Sequence, residues 1–306
     1  MDVAVTGSHG FVGSALVPAL ARAGHRAIRL VRSQPVGADE LGWNPEAGTI
    51  DVAGLEGIGA VVHLAGAGIG DKRWTEARKR LILESRTKGT GLIARTLAGL
   101  THRPSVVVSA SAIGYYGDRG DEPLDEGSAP GSDFVAGVCV QWEAATAPAS
   151  EAGIRVVRTR SGVILGREGG VLPRMLLPFR LGLGGRIASG RQYMSWVSID
   201  DEVAAILYAL TNDSVTGPVN VTAPAPVTNA EFTQTLGRVL RRPTVLPTPL
   251  LPLKMRYGAE LIQHLLVEGQ RALPKRLQET GYQFAHPTLE EALRAVVDRH
   301  GRRHEP

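Results

Sequence analysis

The sequence predicts an α/β protein built on a doubly wound parallel sheet, with a smaller, mainly helical C-terminal domain. Three observations predict it. The first two-thirds of the chain alternates short β-branched runs with amphipathic helical patterns. The strand runs are apolar throughout, as strands are when helices cover both faces of a parallel sheet. A chain of 306 residues is also longer than one compact core usually takes.

The elements follow in order. "DVAVTG" (2–7) reads as the first strand, and a helix continues through about Ala23. Pro18 falls inside that helix, where it costs about 3 kcal/mol, so a kink or short turn is expected there. "RAIRLVR" (26–32), "AVVHLAG" (60–66) and "SVVVSAS" (105–111) read as further strands. A long helix is expected between the last two, from about Thr75 to Leu100. A helix over "SDFVAGVCVQWE" (132–143) precedes one more strand, "IRVVRTRSGVILG" (154–166). From about Leu165 the rhythm breaks into a Gly-, Pro- and Arg-rich stretch. "SWVSIDDEVAAILYAL" then resumes a strand-to-helix pattern, and "GPVNVTA" gives another strand. The tail from Thr228 is mainly helical, with Thr288 and Glu291 spaced as a capping box. The expected domains are 1–165, to which 193–212 returns, and a smaller one of 166–192 with 213–306.

Composition narrows the class of function. Apolar residues at 43 % and charged residues at 21 % are ordinary for a globular chain. A net charge of +4 without a long basic run does not favour nucleic acid, though a local basic pocket for an anion remains open. One cysteine excludes an internal disulfide and fits a reducing compartment. No apolar run approaches the roughly 18–20 residues of a membrane span. The expectation is a cytoplasmic protein with no nucleic acid and no membrane, a small-molecule substrate, and a protein partner or oligomeric state left open.

"VTGSHGFVG" places Gly7, Gly10 and Gly13 between an apolar strand and a helix. Glycines there let backbone N–H groups approach a pyrophosphate, which the helix N-terminus also attracts. The competing reading is a plain strand–helix turn. The end of the second strand selects the dinucleotide. NAD binders usually present an acid about 20 residues beyond the turn, where this chain has Arg32 followed by Ser33. A guanidinium pairs with a 2′-phosphate and a carboxylate repels it, so NADP(H) is expected over NAD and FAD. The alternative is a solvent-facing arginine.

With these pieces in place, the chain resembles the extended short-chain dehydrogenase/reductase superfamily. "TGSHGFVG", "HLAG" (63–66) and "SASAIGYYG" (109–117) fall where that superfamily has its glycine, strand-four and strand-five motifs. More narrowly, "WNPEAGTID", "SRTKGT", "RSGVILG", "LLPFRLGLGG" and "SWVSIDD" look like its atypical, NADP-binding "epimerase family" branch. Members of that branch are sometimes labelled SulA-like cell-division inhibitors. The tail "EGQRALPKRLQETGYQFAHPTLEEAL" is similar to the branch's characteristic C-terminal segment.

The resemblance implies an extended Rossmann fold. It implies cofactor contacts from Thr6, Gly7, Gly10, Phe11 and Val12, with Val31, Arg32 and Ser33 at the adenosine ribose phosphate. Leu64, Ala65 and Gly66 would line the cofactor after strand four, and Arg86 and Val163 match further contacts. The other readings are core packing for Leu64, Ala65 and Val163, and a surface ion pair for Arg86.

Hydride-transferring relatives use a Tyr and a Lys four residues apart on one helix, with a strand-five serine. Ser111 is the counterpart of that serine. By the resemblance Phe134 stands at the Tyr position and Val138 at the Lys position, and neither exchanges a proton. Lys72, Lys79, Lys88, Lys254 and Lys275 all lack a tyrosine four residues before them. Tyr115 is a substitute acid only if its loop brings it to substrate. Asp118 and Asp121 in that loop read as turn caps. Cys139 and Trp142 read as packing, and no metal cluster is expected from the scattered histidines. Arg174, Arg180 and Arg191 suit an acidic ligand or lie on the surface. The expected protein is an NADP(H)-binding epimerase or oxidoreductase of the nucleoside-diphosphate-sugar type without the Tyr–Lys pair. The alternative is a non-catalytic NADP(H)-binding regulator acting through a protein partner, for example in cell division.

Overall fold

The computed structural model describes residues 1–298. The chain opens with β1 (Asp2–Thr6), the glycine turn and α1 (Phe11–Arg22), then β2 (Arg26–Val31). Pro18 does not end α1, and the expected short turn is absent. Leu16 and Leu20, on either side of it, are fully buried, while the proline ring itself is exposed. Core burial on one face holds the helix through the missing N–H.

A hairpin of β3 (Glu40–Asn44) and β4 (Thr49–Ile50) follows, then α2 (Val52–Leu55) and β5 (Ala60–His63). Periodicity did not reveal this hairpin, because "WNPEAGTID" lacks alternation. The expected long helix is α3 (Glu76–Ala98), started by Thr75, whose hydroxyl accepts from the Arg78 amide. Next come β6 (Val106–Ala112), a single 3₁₀ turn (Ile113–Tyr116), β7 (Pro123–Leu124), α4 (Phe134–Ala144) and α5 (Ala147–Glu151).

The run expected as one strand over 154–166 is two, β8 (Arg155–Ser161) and β9 (Val163–Leu165). They part at Gly162, where a side chain would overlap the Ser195 carbonyl. β9 leaves the main sheet and pairs with β11. The remaining elements are α6 (Leu172–Arg180), β10 (Tyr193–Met194), β11 (Trp196–Ser198), α7 (Ile199–Thr211), β12 (Gly217–Val221) and β13 (Val227–Thr228). The tail adds α8 (Asn229–Leu240), α9 (Leu250–Tyr257), α10 (Ala259–Ile262), a π-type turn (Gln263–Val267), β14 (Arg271–Ala272), α11 (Lys275–Glu279) and α12 (Leu289–Asp298). The capping box expected at Thr288 and Glu291 is present in both directions. Thr228 and Glu231 form a second one at α8.

Eight strands make one sheet in the order β12-β8-β6-β5-β1-β2-β3-β4, parallel except at the final β3–β4 pair. The expected boundary placed residues from 213 outside this sheet. Gly217–Val221 instead pairs with β8 and forms one edge of it. Successive residues of β1, β5 and β6 alternate between two cores. One packs under α1 and α7 and the other under α3 and α5. A third core holds α6, α8 and α12 together around Trp196 and Phe232. Strand order reverses between β5 and β1, which opens a crevice at the strands' C-terminal ends, where ligands bind in open α/β sheets. Among the described residues, no helix is long and apolar enough to cross a membrane.

Candidate functional site

A cleft of about 740 Å³ occupies that crevice. Gly7, Gly10, Val31, Arg32, Ser33, Leu64, Ala65 and Gly66, all among the expected cofactor contacts, line it. Gly7 has a φ of +66°, and a side chain there would press on the Leu64 carbonyl carbon. A side chain at Gly13 would overlap the Gly7 carbonyl, so glycine at 13 lets α1 start directly against the turn. The N-terminus of α1 has no side-chain cap and no acid in its first turn. Its free N–H groups and the dipole are therefore left for an anion. Arg32 is exposed at the end of β2 and has no carboxylate partner among the described residues. Glu84, which also lines the cleft, is tied to Lys88 at 2.8 Å.

The other expected contacts lie outside the cleft wall. The Thr6 hydroxyl is buried, accepts from the Leu64 and Ala65 amides, and lies 2.7 Å from His63 Nδ1. It shapes the β5 end rather than facing the opening. Phe11 packs its ring under the glycines at 166, 169 and 170, and Val12 packs at the edge of the core. Arg86 donates to the carbonyls of Ala67 and Ile82, with its guanidinium 4.8 Å from the Trp142 ring centre. It is thus a half-buried cation held on two backbone oxygens, one just after β5 and one within α3, with no ion pair among the described residues.

Ser111 lines neither this cleft nor its neighbouring cavity. Its hydroxyl donates to Glu143 Oε1 at 2.8 Å. Arg160 grips the same carboxylate through Nε at 2.7 Å and Nη2 at 2.9 Å, and both charged side chains are buried. Arg160 Nη1 also donates to the Tyr116 hydroxyl, which donates to Asn220 at 2.6 Å. Burial pushes the Tyr116 phenol up to about 12. Tyr115 covers this network, with the Arg160 guanidinium 3.4 Å from its ring centre.

Phe134 and Val138 are packed in an apolar cluster with Trp74 and Cys139. Cys139 is a core thiol, pushed up to about 12 by burial and then by the Glu143 charge. Asp118 accepts from the Gly120 amide, as a turn cap does.

A second hollow, about 300 Å³, lies at the ends of β6 and β8. Val163 lines it, as do Ser161, Gln192 and Tyr193. It also gathers three residues that sequence reasoning missed. Asp133, His264 and Glu268 lie with ligand-type atoms within 4.8 Å of one another. His264 Nδ1 is 2.6 Å from Glu268 Oε2, and its ring stacks on Trp74 at 17°. Trp74 also meets Phe134 edge-on, ring centres 5.1 Å apart. The only signal in the sequence was a His and a Glu four residues apart, which is common by chance. What joins them to Asp133, 131 positions earlier, is tertiary. Arg174 pairs with Asp71 at 3.2 Å rather than reaching into this hollow.

Residues 3–222 match the model of the NAD dependent epimerase/dehydratase family, and residues 248–296 match a domain of unknown function, DUF1731. Among curated proteins, epimerase family protein Mb2239 of Mycobacterium bovis is 45% identical over 299 residues, 98% of each chain. The human epimerase family protein SDR39U1 is 38% identical, over 97% of this chain and all of that one. A crystal structure of human SDR39U1 with NADPH superposes at a TM-score of 0.89, with 36% identity over 97% of this chain and 99% of that one. A nucleoside-diphosphate sugar epimerase from Corynebacterium glutamicum superposes at 0.80 with 34% identity, over 99% of this chain and 60% of that one.

Proposed function

The chain belongs to the NAD dependent epimerase/dehydratase family and carries a C-terminal DUF1731 domain, and from that premise we propose that it is an NADP(H)-dependent oxidoreductase or epimerase. Its substrate class would be small polar carbonyl compounds, sugar nucleotides included. The observation that carries the cofactor half is Arg32. It stands at the end of β2 with no carboxylate partner among the described residues, lining a cleft that the glycine turn also lines. Guanidinium recognises a phosphate through paired charge-assisted hydrogen bonds, and the neighbouring Ser33 hydroxyl adds a donor. The α1 N-terminus would hold the pyrophosphate. The NADPH named with the human relative supports the same reading. When bound, the nicotinamide supplies hydride transfer.

The residues of the 300 Å³ hollow would handle the substrate. Phe134 and Val138 carry no proton, and Ser111 is engaged by Glu143. His264 is the group there whose ring nitrogens can accept and donate a proton, with Glu268 fixing its Nδ1 and Trp74 fixing its plane. Asp133 has one carboxylate oxygen committed to the Ala136 amide as cap of α4.

The engaged Ser111 and the packed Phe134 and Val138 favour a second reading, a non-catalytic NADP(H)-binding regulator. The discriminating experiment follows NADPH oxidation by the purified protein against a panel of small carbonyl compounds. Turnover that falls at least about 100-fold in His264→Gln supports the enzyme. Tight NADPH binding with no turnover of any compound supports the regulator.

A further inference from the structure

Two stretches of the chain carry cations and apolar residues but no carboxylate. Residues 169–199 contain Arg174, Arg180, Arg186 and Arg191 with no Asp or Glu. Residues 232–259 contain Arg238, Arg241, Arg242, Lys254 and Arg256, again with none. In a chain whose acids and bases nearly balance, that segregation is local. The fold then puts the two stretches side by side. Arg242 Nε donates to the Arg180 carbonyl at 2.9 Å, the Thr248 amide donates to the Arg186 carbonyl at 2.9 Å, and the Thr248 hydroxyl donates to the Gly185 carbonyl at 2.8 Å.

Large apolar side chains stand out on the same two stretches. Leu177, Leu181 and Leu183 are exposed on and after α6. Val245 at 86 % exposure and Leu246 follow on the adjoining loop, and Leu251 and Met255, at 70 % and 73 %, on α9. Other exposed large apolar residues, such as Val36, Val52 and Val140, lie on separate elements. Exposed large apolar side chains concentrated on two adjoining stretches of one chain mark a contact site.

The charged rim tells which contact. Arg174 pairs with Asp71 and Arg238 lies 3.8 Å from Glu290, at the margins. Arg180, Arg186, Arg241, Arg242, Lys254 and Arg256 have no carboxylate partner among the described residues. Arg238, Arg241 and Arg242 together wall a shallow pocket of about 590 Å³ beside the apolar residues. Arg241 sits at a φ of 54°, a left-handed conformation that an arginine holds at a cost. Exposed aliphatic side chains interspersed with cations that lack a carboxylate partner, and an arginine pocket on the same stretch, match the two layers of an anionic bilayer surface. The exposed side chains are aliphatic rather than the aromatic platforms that nucleic-acid bases stack on.

We infer that this face, formed by α6, the 241–249 loop and α9, docks on membranes rich in anionic phospholipid. The aliphatic side chains enter the headgroup boundary and the arginine pocket takes a lipid phosphate. This departs from the expectation of no membrane, which rested on spanning segments alone; a surface contact needs none. The same α6 lines the 300 Å³ hollow through Met175, so the docked face and the candidate substrate cavity share a helix.

The test is co-sedimentation of the full chain with extruded phosphatidylcholine vesicles, with and without about one-third phosphatidylglycerol. The expected result is at least about tenfold more bound protein on the anionic vesicles, declining with salt. A Val245→Asp/Leu251→Asp variant and an Arg180→Glu/Arg241→Glu variant each lose that binding. These side chains are exposed, and unchanged circular dichroism and unchanged NADPH affinity confirm that the fold persists. No binding to anionic vesicles overturns the inference, as does binding that both variants retain. A wild-type dimer by light scattering that Val245→Asp/Leu251→Asp dissociates also overturns it, assigning the face to a second copy.

Discussion

The Ser111 hydroxyl donates to the Glu143 carboxylate at 2.8 Å, so the serine expected to orient substrate is the third partner of a buried ion pair. Glu143 Oε1 accepts from both Ser111 and Arg160 Nε, Oε2 accepts from Arg160 Nη2, and the Tyr115 ring lies against the guanidinium. The network ties β6, α4 and β8 together beneath the candidate cavity.

This network sets a graded stability prediction. Ser111→Ala removes one hydrogen bond to a carboxylate that Arg160 still holds, costing about 1.5–3 kcal/mol. Glu143→Ala leaves the Arg160 charge buried and unpaired, costing about 3–5 kcal/mol. Urea unfolding of the two variants gives both values, and equal costs would mean that the serine rather than the ion pair holds the site.

The glycine turn gives a second prediction. Gly13→Ala puts a methyl group into the Gly7 carbonyl, so α1 must back away from the turn. NADPH affinity is expected to fall at least about tenfold while the chain stays folded, because the strain is confined to one turn. Isothermal titration checks it. A Gly24→Ala control, which meets nothing within 4 Å but sits at a φ of +77°, should leave affinity unchanged.

Two buried groups give opposite pH dependences. Burial pushes the His63 imidazole down from 6.5 to about 4. Its contribution is fully present above pH 6.5 and is lost as pH falls towards 4. Burial pushes Glu202 up from 4.5 to about 7, against the effect of its hydrogen bond from Ser161. That contribution is fully present below pH 4.5 and is lost as pH rises towards 7. Each amounts to about 3 kcal/mol at full extent, so the two oppose each other between pH 4.5 and 6.5. Glu202→Gln is expected to make stability rise more steeply with pH across that window, and His63→Gln to make it fall more steeply. Denaturant midpoints at pH 4.5, 5.5 and 6.5 read the slopes; slopes unchanged from wild type would refute the assignment.

The lining of the cleft was legible because it is local. A strand, three glycines and a helix are consecutive in sequence, and Arg32 follows one strand later. The two packed layers were legible for the same reason, as apolar runs such as "AVVH" need no partner to be read. The β3–β4 hairpin was not, since only Trp43 among the β3 residues is buried and its pattern does not alternate. Asp133, His264 and Glu268 were not, because the C-terminal segment crosses back over the α4 N-terminus and sequence spacing says nothing of that approach. Ser111 misled in the other direction. Its position in a strand-five motif is visible in the sequence, whereas the buried carboxylate that engages it lies 32 residues away.

The central claim is that Arg32 reads the 2′-phosphate of NADP(H), and paired titrations of NADPH and NADH test it most directly. Arg32→Asp should weaken NADPH by roughly 10–100-fold, the loss of a charge-assisted pair, while NADH affinity stays within about threefold or improves. Equal weakening of both dinucleotides, or no change in either, would contradict the account.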